Sequence, residues 1–505
     1  MLHKRSIIIF IFVFYSALFF SQSPFYSRDF PSIKSHVPVR IVDGDSAAFY
    51  VLRYNKKIHD FTLERRSKKT FDILHFTALK LDSLNASWFD YENLDYLLFE
   101  YNYRMYFVFE KVLNQKKSIY IKSIDSSGKA SDFKELANLE KGESSKDIRF
   151  VMKRSSAQQL LVVGEHYYQN ATAKKVVLLY NFDKNQNEYL IKLPLENQAT
   201  GFSQNYVCSN GRLYYLLANQ NLAGYRKKYT VNQELQVPYY ESTLQSLNVF
   251  NLAEKEIHQT DLCFNKKAEI ISSNIVVTNE QVNLFMHYTN RDENKKAEWR
   301  FLNQAFNFDL TKKIHCRETL VDSAINQQLY FFDGYEKADA AEKEFKPYGI
   351  TENGAHVYQL NHRSDENAFH EILLWKSNLM NGEVELQKLI PRNTFYFQHQ
   401  TRFHYLQEIA IAQKNEDLFF LMLENRNNFK LNPEIFNAAE TDKQRHLWSA
   451  NLMLYKLHAK GEFTKKVVHK NGNYNAVPIN FEGNQNEFIF YLNKGKREKF
   501  AILIL

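Results

Sequence analysis

DIRFVMKRSS, AQQLLVVGEHYYQN, AKKVVLLYNF, DKNQ and NEYLIKLP succeed one another through Asp147–Pro194, and the reading of this stretch decides the fold. Gln159–Val163 is too rich in Leu and Val for a loop and too short for an independent helix, and Val176–Phe182 behaves the same way. Tyr168–Ala173 between them is polar and aperiodic, as a surface connection should be. Asp183–Gln186 collects turn-forming side chains. Tyr189, Ile191 and Leu193 then alternate with polar neighbours, the pattern of a half-buried strand. The stretch reads as four short antiparallel strands. One such sheet cannot bury both of its faces, so it needs similar sheets stacked against it.

Echoes of the pattern supply them, with repeats starting near Val39, Asp95, Ile148, Ser203, Glu269, Thr319, Phe403 and Asn475. Five share a polar turn before their last strand: SSGK at Ser126–Lys129, NFDKNQNE at Asn181–Glu188, NLAEKE at Asn251–Glu256, NLMNGE at Asn378–Glu383 and LHAKGE at Leu457–Glu462. A turn recurring at the same place marks a hairpin between the last two strands. Helical periodicity is confined to Ala338–Phe345 and Asn432–Asp442. Repeats of about 50 residues, each a four-stranded meander, predict an all-β fold, a β-propeller of four-stranded antiparallel blades. Eight units are counted and seven is the runner-up; a β-sandwich or a two-domain all-β chain is the competing architecture. The last unit has about three strands, so an early strand from Pro24–Val42 is expected to complete it and close the ring.

The chain opens with Lys4 and Arg5 and an apolar run of about 14 residues, IIIFIFVFYSALFF, shorter than the roughly 20 residues of a membrane-spanning helix. Residues 1–21 read as a signal peptide cut near Ser21–Gln22, with an uncleaved anchor as the alternative. Residues 22–505 then form a single propeller domain, exported to the periplasm, cell surface or medium, with no membrane span once the signal is removed. The formal charge of +8 is small for 505 residues, and its densest basic runs, Arg65–Lys69, Arg226–Lys228 and Lys494–Lys499, fall beside turns, which disfavours nucleic acid. Three cysteines, Cys208, Cys263 and Cys316, make no disulfide framework and are expected as free, mostly buried thiols.

Three long insertions are expected between the second and third strands of their units, at Leu222–Glu241, Gly334–Ala368 and Asn425–His446. Strand direction alternates within a blade, so all three would gather on one face of the disc. Long loops in a compact fold usually carry function. Their Tyr225, Arg226, Tyr229, Tyr239, Tyr240, Tyr335, Tyr348, Tyr358, Arg426 and Phe429 suit a protein- or sugar-binding surface; the plainer reading has the tyrosines packing the insertions against the disc.

No catalytic residue, cofactor or metal site is assigned. HExxH, GxSxG, P-loop, GxGxxG and CxxC are all missing, as are Asp boxes and the WD and kelch signatures. His356, His362, His370, His399 and His404 thicken one region without metal-ligand spacing. Asp183–Asn187 begins like a calcium loop but lacks its glycine and distant Glu.

The signal ending at Ser21–Gln22, KSIYIKSIDSSGKASDFKELANL, FVMKRSSAQQLLVVGE and LWKSNLMNGEVELQKLIPR together resemble the secreted propeller-like proteins of Bacteroidota-type bacteria, a class of unknown biochemical role. The resemblance covers most of the mature chain and implies an envelope or exported location; it transfers no catalytic residue. Two functions stay open. One is a non-catalytic binding or scaffold propeller of the cell envelope that meets a protein or glycan partner through the insertion face. The other is an envelope enzyme acting on polysaccharide, with carboxylates near the central channel.

Overall fold

The computed structural model describes residues 23–505 apart from 33–35, 56, 59, 82–95, 114–115, 141–146, 157, 169–170, 194–205, 231–232, 263–267, 291–297, 324, 326–344, 354–355, 365–367, 396–408, 426–444, 447–449, 478–481 and 484–485. The described residues are almost wholly β, arranged as eight antiparallel sheets in a ring, each with four strand positions. Seven are successive meanders: blade 1 (36–78), blade 2 (96–140), blade 3 (147–193), blade 4 (206–261), blade 5 (268–320), blade 6 (345–395) and blade 7 (410–470). Blade 8 takes its inner strands from 475–504 and its outermost position from the other end of the chain. There Phe25–Tyr26 pairs with Ile502 and Ala501, and Phe30–Pro31 pairs with Glu498 and Arg497. This is the β-propeller expected, closed by an early strand.

The core explains why these residues form strands without clean alternation. Buried apolar side chains fall into eight clusters, each shared by two consecutive blades, and the one containing Ile41, Phe49, Ile489 and Phe500 joins blade 8 to blade 1. A second strand therefore faces a neighbouring blade on both sides. In Ala48–Asn55 seven successive residues are buried, and in Asp417–Asn425 the LFFLML run is buried throughout. Such strands read as continuous apolar runs because neither face meets water. Outer strands such as Lys313–Leu320 are largely exposed.

The turn between third and fourth strands recurs in blades 1 to 7, each time with one residue at positive φ. Glycine takes it in blades 2, 6 and 7 (Gly128, Gly382, Gly461), and Phe71, Asn185, Lys255 and Leu310 take it in blades 1, 3, 4 and 5. With only 15 glycines, the chain places other residues in a conformation they ordinarily avoid. Outer strands clasp these turns on the next blade: Lys134 Nζ donates to the Asn185 carbonyl at 2.6 Å and Arg317 Nε to that of Asn381 at 3.1 Å. At Gly382 a Cβ would come within 2.6 Å of the His315 ring, so the clasp itself requires glycine there.

Blade 6 departs from expectation. Thr319 lies in the outer strand of blade 5, and the first described strand of blade 6 is Phe345–Asn353. Gly334–Ala368 is thus no insertion between second and third strands: it holds strands Phe345–Asn353 and His356–Ser364, and only 365–367 separates the latter from Ala368–Asn378. FKPYGITEN concealed itself because an inner strand is a sheet edge, where Pro347 is tolerated beside a register shift. Phe345, expected in a helix, opens that strand; 338–344 and Asn432–Asp442 lie outside the described residues.

The interface of blades 5 and 6 encloses His287, 1% exposed, its ring 5.1 Å from that of Trp299 and 5.9 Å from that of Trp375. Burial pushes its pKa from 6.5 down to about 3. The neutral ring is present in folded and unfolded chains alike above pH 6.5, where the stability is full. Below that, only the unfolded chain takes up the proton. Stability is expected to fall by up to about 1.4 kcal/mol per pH unit from 6.5 towards 3. Unfolding followed across that window in wild type and His287→Gln checks this: the variant should show a slope shallower by up to one proton, and equal slopes would refute it.

Candidate functional site

Within each blade the second-to-third connection opens on the same face as the connection between blades. In blade 4 that connection is drawn out into a ribbon. The second strand, Arg212–Thr230, and the third, Gln233–Asn251, have 19 residues each and pair along their whole length. The inner strand pairs only as far as Tyr215, and the outer strand only as far as Ser246. From Ala218↔Gln245 to Thr230↔Gln233 the two strands pair with nothing else among the described residues. Thirteen residues of extended chain span about 40 Å. Leu222–Glu241 is therefore a strand extension rather than a loop.

Five of the ten expected contact residues sit on this ribbon. Tyr225 stands opposite Pro238, Arg226 opposite Val237, Tyr229 opposite Glu234, Tyr239 opposite Gly224 and Tyr240 opposite Leu222. Asn425–His446 connects the second and third strands of blade 7, and its 426–444 lie outside the described residues. Its Arg445–His446 pairs in parallel with Thr394–Phe395, adding a short fifth strand to blade 6. Tyr348 belongs to the inner strand of blade 6. Tyr358 corrects the surface reading: at 2% exposure it packs with Leu360, Phe420 and Tyr455 between blades 6 and 7. Tyr335, Arg426 and Phe429 lie outside the described residues.

The opposite mouth of the ring is where inner strands end, and there the basic run Arg65–Lys69 meets carboxylates that the sequence did not single out. Asp43 closes the inner strand of blade 1 and meets Lys68 Nζ at 2.6 Å; the same ammonium lies 2.5 Å from Glu487 of blade 8. Asp45 Oδ1 accepts the Ala47 and Ala48 N–H groups, both at 2.8 Å, and its Oδ2 lies 2.7 Å from Arg65. Those partners outweigh burial and hold the Asp45 carboxyl below its ordinary pKa. Glu100, next to last in the inner strand of blade 2, is pushed up by burial, with Asp45 and Asp43 adding to the push against the Tyr103 N–H and Arg154. The Arg154 guanidinium lies 4.9 Å from the centre of the Phe99 ring. Lys68 thus ties blade 1 to blade 8 and Arg154 of blade 3 attracts Glu100 of blade 2, while Asp43 and Asp45 repel Glu100 across blades 1 and 2.

Among the described residues no group of three or more His, Cys, Asp or Glu side chains is placed to hold a metal ion. His356 lies 3.1 Å from Glu385, which also pairs with Lys376. Asp183 sits in a turn, where it accepts hydrogen bonds from the Tyr101 hydroxyl and Asn102 of blade 2. Burial pushes the Cys208 thiol up to about 11, so it stays protonated. Cys316, expected to be buried, is exposed on the outer strand of blade 5. No described helix is long and apolar enough to cross a membrane.

No family model matches the chain, and a search of curated proteins finds no match. Solved structures align with it at low identity. A crystal structure of Porphyromonas gingivalis dipeptidyl peptidase 4 aligns with 91% of this chain at 11% identity and a TM-score of 0.44, and the chain spans 56% of that structure. The polysaccharide lyase Uly1 aligns with 67% at 11% identity and a TM-score of 0.36, over 76% of its own length. The WD40 domain of SCAP from fission yeast aligns with 72% at 7% identity and a TM-score of 0.31, over 87% of its length. The propeller assignment rests on the eight sheets and the eight interfaces between them.

Proposed function

We propose that this protein is a non-catalytic binding propeller, exported to the cell envelope, that engages a protein partner through the ribbon of blade 4. The ribbon carries the reading. A two-stranded hairpin is marginal in water when it has no sheet or helix to pack on. Among the described residues no further strand pairs with either backbone edge over about 40 Å, and a partner adding a strand or covering a face would stabilise it. Arg226, Lys227 and Lys228 on one strand and Pro238 on the other are the residue types that restrain indiscriminate edge pairing. Export rests on the basic start and apolar run of residues 1–21. The enzyme reading draws little support from Asp43 and Asp45, whose oxygens already meet Lys68, Arg65 and backbone N–H groups.

The test is a pull-down from envelope extract with intact protein and with a version in which Asn-Gly joins Ala218 to Gln245. Shortening the ribbon should abolish capture while the melting temperature stays within a few degrees, because no other described strand pairs with it. Equal capture by both proteins sinks the proposal; a glycan recovered in place of a protein redirects it.

A further inference from the structure

Three neighbouring inner strands, Asp147–Ser156 of blade 3, Tyr206–Ser209 of blade 4 and Ala268–Val277 of blade 5, enclose a cavity of about 240 Å³ at the mouth opposite the ribbon. Its lining is mixed: Leu161, Val207 and Ile275–Val277 are apolar, and Lys153, Arg154, Ser155 and Ser209 are polar. Strand alternation sorts the cations that border it. Met152 packs between blades 2 and 3, and Arg154 follows it to the Phe99 ring of blade 2. Val151 packs towards blade 4, and Ser155 donates from its hydroxyl to the Cys208 carbonyl of that blade at 2.6 Å. Lys153 lies between them on the same side, so its ammonium belongs to the cavity.

Among the described residues no carboxylate pairs with Lys153, and burial alone lowers its pKa. Lys153 is exposed, with protein crowding it on the cavity side enough to disfavour its charge. An ammonium held so is stabilised by an incoming anion. The volume is below the roughly 300 to 1,000 Å³ of sites for drug-sized ligands, so the body of the ligand is small. With the Arg154 guanidinium on the Phe99 ring and the Ser155 hydroxyl given to Cys208, one ammonium is left beside Val207 and Ile275–Val277, which suits a single negative charge on a partly apolar body.

We propose that this cavity is a binding site for a small monocarboxylic acid no larger than one sugar ring, its carboxylate on Lys153 and its body against Val207, Ile275 and Val277. This site stands apart from the ribbon, and its failure would leave the partner-binding reading untouched.

Calorimetry with benzoate, glucuronate and inorganic phosphate tests it on the intact protein. At least one carboxylate should bind saturably at about 1 mM or tighter, and Lys153→Gln should weaken it about tenfold or more, one charge-assisted hydrogen bond's worth. Lys153→Arg should recover part of the loss. Ser209→Trp, which fills the mouth and leaves the lysine in place, should also abolish binding without lowering the melting temperature. Affinity should fall as pH rises and the ammonium is lost. Absence of saturable carboxylate binding, unchanged affinity in Lys153→Gln, or phosphate binding as tightly as the carboxylates would overturn the assignment.

Discussion

Replacing Arg53 with Met is expected to destabilise the ring by about 3–5 kcal/mol, the usual cost of removing one partner from a buried ion pair. Arg53 lies in the second strand of blade 1 with its side chain 1% exposed. Its Nε is 2.8 Å from Glu64, and its two terminal nitrogens meet both oxygens of Glu498 in blade 8, at 2.6 and 3.2 Å. Burial opposes its charge, and the two carboxylates outweigh burial, raising its pKa above the ordinary value. Arg66 completes a neutral quartet, 2.8 Å from Glu64, and lies over the rings of Phe500 and Phe30 at 4.6 and 5.1 Å. The Tyr491 hydroxyl donates to Glu498. Without Arg53 one negative charge is left buried at the seam where the two ends of the chain meet. Urea unfolding should show the full loss in the single variant. Arg53→Met/Glu498→Met should recover most of it, because the remaining Glu64–Arg66 pair is neutral. A single-variant loss below about 1 kcal/mol, the range of an exposed pair, would show that the quartet does not hold the seam.

Trp375→Ala is expected to cost a similar amount, about 3–5 kcal/mol, for a different reason. Trp375 is fully buried in the third strand of blade 6 and stacks on Phe301 of blade 5, ring centres 4.7 Å apart and planes 17° apart. Its indole N–H has no hydrogen-bond partner among the described residues, so the loss is one of packing and cavity formation. Trp375→Phe should therefore cost less than half as much, since it keeps a ring against Phe301 and removes a buried donor. Hydrogen exchange should accelerate first in blades 5 and 6, which share this interface. A change spread evenly round the ring, or a Phe variant as damaged as the Ala variant, would contradict the packing argument.

Most of the architecture was legible in the sequence, for a reason visible in particular strands. Leu160–Val163 and Phe419–Leu423 are buried on both faces, so they stand out as apolar runs between polar turns. Blade 6 was misplaced because Phe345–Asn353 is an inner edge strand with mixed composition. The candidate sites were less legible. Tyr358 has the same side chain as Tyr225, and nothing local tells a buried interface tyrosine from one on a ribbon. Lys153 stood in the stretch that revealed the fold, yet its sequence neighbours carry no mark of the cavity that blades 4 and 5 build around it.

Periodicity and turn chemistry alone determined a ring of meandering sheets completed by an early strand, because backbone pairing and burial of apolar faces act between residues close in sequence or repeated along it. Tertiary structure alone decided that Leu222–Glu241 runs on as paired strand, that Arg53 and Glu498, 445 residues apart, share one buried quartet, and that Lys153 faces a cavity without a paired carboxylate among the described residues. Those outcomes depend on which blades become neighbours, and charge and cavity shape are properties of that neighbourhood, summed over strands far apart in the chain.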